Sequence, residues 1–416
     1  MEQKPRVAVV QDGARLHYAF PLALYRRGML ERAFCDWFSR PGSMMELTAR
    51  AMRRVNPALG QRMLDRYEPG LKGAKIVSHP RLAMRILKRR QRMGIGYESE
   101  MRMAGEMARW ALRAGFGNAN AVFGFIRQID PVLFEEAQKR GLYCVGDQII
   151  APYAIERAEE LKQRARFPAF VKAGSEGPGE MEKGWIEMEE RTWRLLSHIT
   201  CASDYVREGL IAQGVAAEKI TVNPYPVDTT HFGFVERAER RKHEPVTVGF
   251  VGSVNLRKGT PYFFEVAERF DPRRVKFVMI GPVGIAPEAA AKQGRHVELV
   301  GNVPRSRIPD WLGKFDLYFF PSTCEGSAGS ITEAMASGLP VVTSPNSGAI
   351  VRHGESGFIH PYDAVDAYAE AIRKLAGDAD LRLKMGMEAR RAVEAADMER
   401  FGAVLGGIFE RATGGG

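Results

Sequence analysis

A strand–loop–helix unit between residues 317 and 338 constrains the fold of this chain more than any other segment. Residues 317–320, Leu-Tyr-Phe-Phe, form a continuous apolar run that is typical of a strand buried on both faces. A loop of small residues over 325–329 follows, and a helix from Ser330 ends at Gly338, shortly before the next apolar run. This order is typical of a parallel α/β sheet, and the free amides at the start of such a helix attract anions, phosphate above all.

The same alternation of apolar runs and helical periods extends over the 416-residue chain, which is long enough for two domains. A break at Asn223-Pro-Tyr-Pro226 separates two such series. We therefore predict an α/β protein with two doubly wound parallel sheets, in residues 1–225 and 226–395, followed by a last helix and a frayed tail in 396–416. The predicted strands are at 6–11, 32–38, 120–125, 142–146, 198–202, 219–222, 246–251, 275–280, 297–300, 316–320, 340–343 and 357–359.

Two carboxylates, Glu325 and Glu333, flank the start of the predicted helix with seven residues between them. Ser330 and Glu333 have the spacing of a capping box, in which the glutamate binds a backbone amide at the helix start. Glu333 is therefore open to a structural and to a ligand-binding interpretation, whereas Glu325 has no such structural explanation. A glycosidase acid/base pair is disfavoured, because one of the two carboxylates would be committed to the helix.

A second anion-binding loop is predicted directly after the apolar run at 246–251. It begins with Gly252, where a backbone can approach a ligand closely, and Ser253, and it ends with Arg257 and Lys258 before a helix. In doubly wound sheets, ligands bind outside the carboxyl ends of the strands. Since this loop and the loop at Glu325 both follow strands, one diphosphate could contact both. A solvated helix start is the alternative.

These motifs resemble the family-4 retaining glycosyltransferases of GT-B fold. The resemblance rests on Pro-Ser-x-x-Glu-Gly and Glu-Ala-Met-Ala-x-Gly-x-Pro-Val-Val, both within residues 321–342. The chain departs from the family at Ala328-Gly329, which places the second glycine one residue late, and at Ser253, which stands where the family has an arginine. The resemblance implies two Rossmann-like domains that face a cleft, with the last helix crossing back to the first domain.

The resemblance also implies a function, the metal-independent transfer of a sugar from a UDP- or GDP-sugar to a hydroxyl acceptor with retention. In that scheme Glu325 binds sugar hydroxyls, Glu333 binds the ribose, and Lys258 stabilises the leaving diphosphate. We infer that the adjacent Arg257 supplies the charge of the family arginine that Ser253 replaces. The other donor-binding positions are Gly252, Ser253, Gly326, Ser327, Ala328, Gly329 and Ser330. No cofactor is expected, and the acceptor is a glycan, a lipid-linked sugar or a small hydroxylated metabolite.

Two other functions remain open for the same fold. One is a sugar-nucleotide epimerase, which is disfavoured because such enzymes lack this pair of glutamates. The other is a non-catalytic protein that binds a nucleotide-sugar or serves as a scaffold on a membrane surface. The two glutamates and Lys258 argue against that second alternative, whereas Ser253 favours it slightly.

The acceptor side is expected at the carboxyl ends of strands in the first domain. Gly13, Arg15 and His17 follow the first predicted strand, where the resembled family carries a glycine-rich loop that faces the donor phosphates. Arg15 is open to contact with phosphate or an acidic acceptor and to a plain surface role. Asp147 follows the run at 142–146 and is predicted to accept a hydrogen bond from an acceptor hydroxyl.

The formal net charge of +10 suits anionic partners. A predicted helix over 81–94 carries a basic stripe that is open to two interpretations, docking on an anionic membrane and a solvated basic face. Its cations are Arg81, Arg85, Lys88, Arg89 and Arg92. Nucleic acid is not an expected partner, because the sequence shows no recognised binding module and no interleaved aromatic residues.

Four widely separated cysteines, with no Cys-x-x-Cys pair, predict reduced thiols. The N-terminal stretch has no apolar signal-peptide core, and no apolar run is long enough for a membrane-spanning helix. We therefore expect a cytoplasmic protein, peripheral on the inner face of the membrane if the basic helix docks there.

Overall fold

Two parallel sheets covered by helices organise the chain. The computed structural model describes residues 4–93, 97–175, 179, 183–235 and 244–413. Within these ranges the first sheet has seven strands in the order β3-β2-β1-β4-β5-β6-β7, and the second has six in the order β10-β9-β8-β11-β12-β13, all paired in parallel. The predicted α/β class with two doubly wound sheets is therefore confirmed.

The first sheet and its helices occupy the residues before the break at 223–226. Its strands are β1 (Val7–Gln11), β2 (Leu30–Cys35), β3 (Ile76–Ser78), β4 (Ala121–Phe125), β5 (Tyr143–Gln148), β6 (His198–Cys201) and β7 (Ile220–Val222). The accompanying helices are α1 (Ala19–Arg26), α2 (Met44–Val55), α3 (Pro57–Leu64), α4 (Pro80–Met93), α5 (Tyr97–Ala114), α6 (Val132–Lys139), α7 (Tyr153–Arg166), α8 (Lys183–Leu195) and α9 (Asp204–Ala212).

The second sheet follows the same strand–helix alternation. Its strands are β8 (Val246–Val251), β9 (Val275–Ile280), β10 (Val297–Gly301), β11 (Leu317–Phe320), β12 (Val341–Thr343) and β13 (Gly357–Ile359). The accompanying helices are α10 (Thr260–Ala267), α11 (Pro287–Gln293), α12 (Ile308–Leu312), α13 (Gly329–Ala336), α14 (Val365–Gly377) and α15 (Ala379–Glu394), and α16 (Met398–Thr413) ends the described chain.

Side chains that alternate along β1 explain the two layers of helices around the first sheet. Val7 and Val9 pack in one apolar cluster with Phe20 of α1, whereas Ala8 and Val10 pack in the cluster on the opposite face. The central strands β1, β4 and β11 are buried on both faces, which is why they appear in the sequence as continuous apolar runs rather than alternating ones.

The last helix, α16, packs against the first sheet rather than the second. Phe401, Leu405 and Ile408 are buried in the same cluster as Phe20, and the rings of Phe20 and Phe401 lie 5.0 Å apart in an edge-to-face arrangement. The side-chain amide of Asn223 donates to the carbonyl of Phe401 over 3.2 Å. The chain therefore passes between the two sheets twice, once after β7 and once between α15 and α16.

Helix α7 of the first half lies against the second sheet's domain. The phenol of Tyr262 in α10 donates to Oε1 of the fully buried Gln163 over 2.8 Å. Beyond the end of α7, Phe167 meets the Tyr262 ring edge-to-face at 5.2 Å, and the amide of Ala286 donates to the carbonyl of Phe170 over 3.0 Å. These apolar and polar contacts make α7 a bridge between the domains.

The turn that joins β1 to α1 has a left-handed backbone at three successive residues. Leu16, His17 and Tyr18 have positive φ angles of 48°, 49° and 62°, and α1 begins only at Ala19. Three left-handed residues in succession cost free energy for side chains with a Cβ, on the order of 1 kcal/mol each. The surrounding packing holds the turn, since Tyr18 is buried and donates to the carbonyl of Trp37.

We predict that Phe401→Ala lowers the free energy of unfolding by about 3–5 kcal/mol, because it removes a buried ring that joins α16 to α1. Arg400→Ala, at an exposed position of the same helix, should change it by less than about 0.5 kcal/mol. Urea denaturation followed by circular dichroism measures both. Equal effects of the two substitutions would contradict the proposed role of the ring.

Candidate functional site

The two loops predicted to bind a diphosphate lie side by side. β8 and β11 are neighbours in the second sheet, and the helices that follow them start on the same edge. Strand order reverses between these two strands, which is where open α/β sheets form a ligand crevice. The loops touch through Gly259, which has a φ of 72° and whose Cβ, if present, would lie 1.9 Å from the carbonyl oxygen of Pro321. Only glycine fits that contact.

One oxygen of Glu325 gathers the charged groups of the site. Its Oε1 accepts from Lys258 Nζ at 2.6 Å, from Arg257 Nη1 at 2.9 Å and from Ser322 Oγ at 3.2 Å. Arg257 also donates to the carbonyl of Cys324 over 3.0 Å. The side chains of Glu325 and Lys258 are 10% and 15% exposed, and that of Arg257 is 32% exposed. The cluster is thus a compact set of one buried carboxylate and two partly buried cations.

Burial and the Glu325 charge act in opposite directions on the two cations. Burial lowers the pKa of Lys258 more than the neighbouring carboxylate raises it, so the net shift is downward. For Arg257 burial also lowers the pKa, but Glu325 and further anionic groups outweigh it and the net shift is upward. A bound diphosphate would add negative charge beside Lys258 and favour its charged form.

The capping box predicted at Ser330 and Glu333 is wrong. α13 starts at Gly329, its N-cap is Ala328, and no side chain caps it. Ser330 therefore lies inside the helix, and Glu333 is too far along it to reach the amides at its start. The Glu333 carboxylate instead accepts from Arg305 Nη2 at 2.5 Å. Without the capping contact, the structural interpretation of Glu333 no longer applies. Its partner Arg305 is a long surface side chain that is 71% exposed.

The other donor-side positions surround the ion cluster. Gly252 ends β8 and its amide donates to the carbonyl of Ile280 over 2.8 Å, and Ser253 beside it is half-buried. Gly326 and Ala328 are buried, while Ser327 and Ser330 are half-buried and Gly329 is exposed. The first-turn amides of a helix have no carbonyl one turn earlier to bind, so those of Gly329 and Ser330 are suited to an anion.

The loop after β11 also touches the first domain. A Cβ on Gly326 would lie 1.6 Å from the carbonyl oxygen of Ile149, which follows β5. The hydroxyl of Ser203 donates to the carbonyl of Gly326 over 2.5 Å. Asn346 lies beside them, with its carbonyl 2.9 Å from the amide of Glu325 and its side-chain amide 2.8 Å from the carbonyl of Thr323. The site is therefore built at the junction of the two domains.

The structure places Gly13, Arg15 and His17 on the left-handed turn after β1. Gly13 is buried and its amide donates to Asp36 Oδ1 over 3.0 Å, while Arg15 and His17 are exposed. Backbone strain of this kind is concentrated at functional sites, so the turn remains a candidate for the acceptor side. The acceptor role of its side chains stays a prediction.

Asp147 does not face an acceptor. Its side chain is 1% exposed, and it accepts from Tyr225 at 2.5 Å and from Thr200 at 2.7 Å. Burial raises the pKa of Asp147 to about 7. The prediction failed because the strand β5 extends to Gln148 and turns the Asp147 side chain into the interior, where it fixes Tyr225 in the segment that leaves the first domain.

The basic stripe of α4 is partly paired. Arg85 and Arg89 both contact the carboxylate of Glu106 in α5, at 3.5 Å and 2.9 Å, while Arg81 and Lys88 are exposed. The side chain of Arg92 lies outside the described residues. The sequence pattern of α4 did not indicate Glu106 as the partner of these arginines, because Glu106 lies in the next helix.

A buried ionic network next to the cleft was missed by sequence reasoning. Arg127, at a φ of 72°, contacts Glu189 at 2.5 Å and Glu156 at 2.7 Å, and it donates to the carbonyl of Ala151. Glu156 belongs to α7 and raises the pKa of Arg257 across the domain junction. Arg305 and Ser322 were missed as well, and only Ser322 carried a signal, as part of the Pro-Ser frame.

Within the described ranges, no three His, Cys, Asp or Glu side chains are grouped so as to hold a metal ion. The sequence does contain one Asp-x-Asp pair, Asp378 and Asp380, but Asp378 caps α15 by accepting from the amide of Leu381. The groups at the site that can neutralise an anion are the cations of the ion cluster and the amides of α13.

Residues 245–378 match the family described as Glycosyl transferases group 1. The matched residues include β8 to β13 and both loops of the site. The chain is 29% identical over 201 residues to the amylovoran biosynthesis glycosyltransferase AmsK of Erwinia amylovora, an alignment that covers 44% of this chain and 49% of the relative. The chain spans about half the length of the curated relatives that it matches.

Solved structures match over nearly the whole chain. The Anabaena protein Alr3699/HepE in complex with UDP has a TM-score of 0.60 at 14% identity and covers 98% of this chain and 100% of its own. The sucrose-phosphate synthase of Thermosynechococcus elongatus has a TM-score of 0.65 at 14% identity and covers 99% of both chains. At such identities the likeness concerns the fold, and the predicted GT-B fold is confirmed.

We predict that the titration of Asp147 makes a contribution to folding stability that falls as the pH rises from about 4 to about 7. His198, whose pKa burial lowers to about 4, makes an opposite contribution over part of this range, so the effect of Asp147 is read from the difference between variants. The pKa of Asp147 is about 7 in the folded protein against 3.8 for the ordinary group, so over this range the folded state holds a proton that the unfolded state has released. Asp147 contributes up to about 4 kcal/mol to the free energy of unfolding. This contribution is fully present below pH 4 and is lost as the pH rises through 7. Denaturant unfolding across this pH range measures it.

Relative to the unaltered protein, Asp147→Asn should gain stability as the pH rises from 4 to 7, whereas Asp204→Asn at the exposed start of α9 should follow the unaltered protein. The same pH dependence in Asp147→Asn and in the unaltered protein would contradict the contribution of Asp147.

We predict that Gly326→Ala separates the loop after β11 from the first domain, because the added Cβ would overlap the carbonyl of Ile149. We expect a larger radius of gyration in X-ray scattering and a stability loss of about 1–3 kcal/mol. The control is Gly329→Ala, three residues further along, where nothing lies within 4 Å of the added atom. An unchanged radius in Gly326→Ala would contradict the contact.

Proposed function

We propose that the protein is a glycosyltransferase that moves a sugar from a nucleotide-sugar donor, a UDP- or GDP-sugar, to a hydroxyl acceptor with retention and without a metal ion. The observation that carries the proposal is the convergence of Lys258 and Arg257 on Glu325 beside the start of α13. Two partly buried cations and free helix amides suit a diphosphate, and a carboxylate beside them suits sugar hydroxyls.

Without a donor, the carboxylate of Glu325 offsets one of the two positive charges and holds both cations in place, so the cluster keeps a net positive charge for an incoming diphosphate. When the donor phosphates bind, Lys258 and Arg257 contact them, and Glu325 becomes available to the sugar. Because the leaving group is a nucleoside diphosphate, its developing charge is the quantity that the site has to stabilise. Glu333, which does not cap α13, accepts hydrogen bonds from the ribose hydroxyls in place of the one from Arg305.

The proposed reaction uses no nucleophilic side chain of the protein. Cys324, the thiol next to Glu325, is buried, and burial raises its pKa to about 12, so it stays protonated at neutral pH. The acceptor hydroxyl attacks the sugar on the face from which the diphosphate leaves, and the departing phosphate takes its proton. This accounts for retention without a protein nucleophile.

The acceptor we propose is a hydroxyl of a glycan or of a lipid-linked sugar. Support comes from the relative named for the biosynthesis of amylovoran, and from the exposed Arg15 and His17 on the turn after β1. The turn lies at the carboxyl edge of the first sheet, and the donor loops lie at the carboxyl edge of the second.

A panel of UDP- and GDP-sugars with simple glycan acceptors, in buffer with a chelator, tests the proposal. We expect one nucleotide-sugar to raise the melting temperature and to release its nucleotide, with product of retained anomeric configuration by NMR. Binding without turnover by any acceptor would favour a non-catalytic binding protein. An epimerised free sugar-nucleotide would favour the epimerase.

The variant Glu325→Gln keeps the size of the side chain and removes its charge. We expect turnover to fall by about 100-fold or more, while the thermal shift with free nucleoside diphosphate is retained because both cations remain. Lys258→Ala should lose both. Glu355→Gln, an exposed carboxylate outside the site, is the control and should keep full activity. Full activity of Glu325→Gln would overturn its assignment.

A further inference from the structure

Helix α2 exposes an apolar stripe to solvent. Met44, Leu47 and Val55 are 79%, 57% and 84% exposed, more than any other large hydrophobic side chain among the residues that the structure describes. Their spacing, with the exposed Ala51 between them, places all four on one face of the helix. Scattered exposed apolar residues are ordinary, but a continuous stripe on one helix face marks an interaction surface.

The stripe is not the side by which α2 is attached to the protein. Ala49 is fully buried and packs with Met63 of α3 and Ala83 of α4, and Met45 and Met52 pack partly buried on the same cluster. The helix therefore has two separate apolar faces, one that holds it on the domain and one that points outward. The outward face has no structural role in the described chain.

Cations border the stripe. Arg50 and Arg54 are exposed on the side of α2 next to Leu47, where Arg50 also pairs with Glu46 at 2.7 Å, and Arg53 is exposed further around the helix. Residues 40–93 contain fourteen Lys and Arg against three Asp and Glu, a net charge of +11, whereas the whole chain has a net charge of +10. The positive charge of the protein is thus concentrated in the segment that contains α2.

From this arrangement we propose that α2 docks flat on an anionic lipid surface, with Met44, Leu47, Ala51 and Val55 entering the acyl boundary and the neighbouring arginines binding lipid phosphates. An amphipathic helix with a basic flank has this preference. None of the described helices is long and apolar enough to span a bilayer, so the docking is peripheral. The proposal is independent of the proposed function.

Charge decides between a lipid surface and a second copy of the chain. In a symmetric dimer through α2 the same patch would face itself, and the arginines of both copies would come together. Like charges in such an interface are repulsive, whereas an anionic surface attracts every one of them. The cations Arg81 and Lys88 of α4, whose Ala83 packs with Ala49 of α2, add to the same attraction.

If α2 docks on the lipid surface, the basic stripe of α4, for which the sequence left membrane docking open, has a secondary role. The apolar side chains Leu82, Ala83 and Ile86 of α4 are buried, so its described residues offer nothing to insert into a membrane. α4 supplies charge and α2 supplies the apolar contact.

Docking at α2 also places a membrane near the acceptor side. Asp36, at the end of β2, binds the amide of Gly13 through one oxygen and Arg66 Nη1, just after α3, at 2.5 Å through the other. The turn after β1 and the α2–α3 pair are therefore joined through one buried carboxylate.

Vesicle co-flotation with the full chain tests the proposal. We expect binding to phosphatidylcholine vesicles that contain about one third phosphatidylglycerol, and weak binding to pure phosphatidylcholine. The variant M44Q/L47Q/V55Q should reduce the partition coefficient at least about tenfold. The matched control L161Q/V283Q/M387Q removes three exposed apolar side chains elsewhere and should bind like the unaltered protein.

Insertion is distinguished from charge adsorption by a polarity-sensitive dye on Leu47→Cys, which should shift to the blue with anionic vesicles, while the same dye on Leu161→Cys should not. Failure of the unaltered protein to float with anionic vesicles would overturn the proposal, as would flotation of M44Q/L47Q/V55Q at full strength. A dimer in the absence of lipid that M44Q/L47Q/V55Q abolishes would also overturn it, in favour of a second copy of the chain.

Discussion

One carboxylate oxygen that holds two partly buried cations is the interaction on which the proposed site depends. Lys258 and Arg257 come from the loop after β8, and Glu325 comes from the loop after β11, so the ion cluster joins the two neighbouring strands at the switch point of the sheet. Charges this far removed from water are costly unless they are paired. The pairing explains how the loops keep two cations in place before any anion arrives.

The contact between these loops requires more than charge. Gly259 against Pro321 and Gly326 against Ile149 bring backbone to backbone at distances that leave no room for a side chain. The first contact packs the two donor loops against each other, and the second packs the loop after β11 against the first domain. Because both are contacts of main-chain atoms, they fix the position of the amides of α13 independently of side-chain rotamers.

Much of this could be predicted from the sequence, and the failures share a physical origin. The buried strands produced continuous apolar runs, and Glu325, Arg257 and Lys258 stood in recognisable positions next to them. The capping contact of Glu333 and the exposure of Asp147 were wrongly predicted, because a local pattern cannot show the direction of a side chain. Arg305 and Tyr225, which bind these two carboxylates, are distant in sequence, and so is Glu106, which binds Arg85 and Arg89.

The two passages of the chain between the domains have a mechanical consequence. The segment after β7 is held by Asn223 and Tyr225, and the segment before α16 is held through the carbonyl of Phe401. A body that is tethered to another at two neighbouring points can turn about the line through them but cannot slide freely along it. An opening of the junction between Gly326 and Ile149 would leave these two connections in place and would have to separate the contacts of α7 with the second domain.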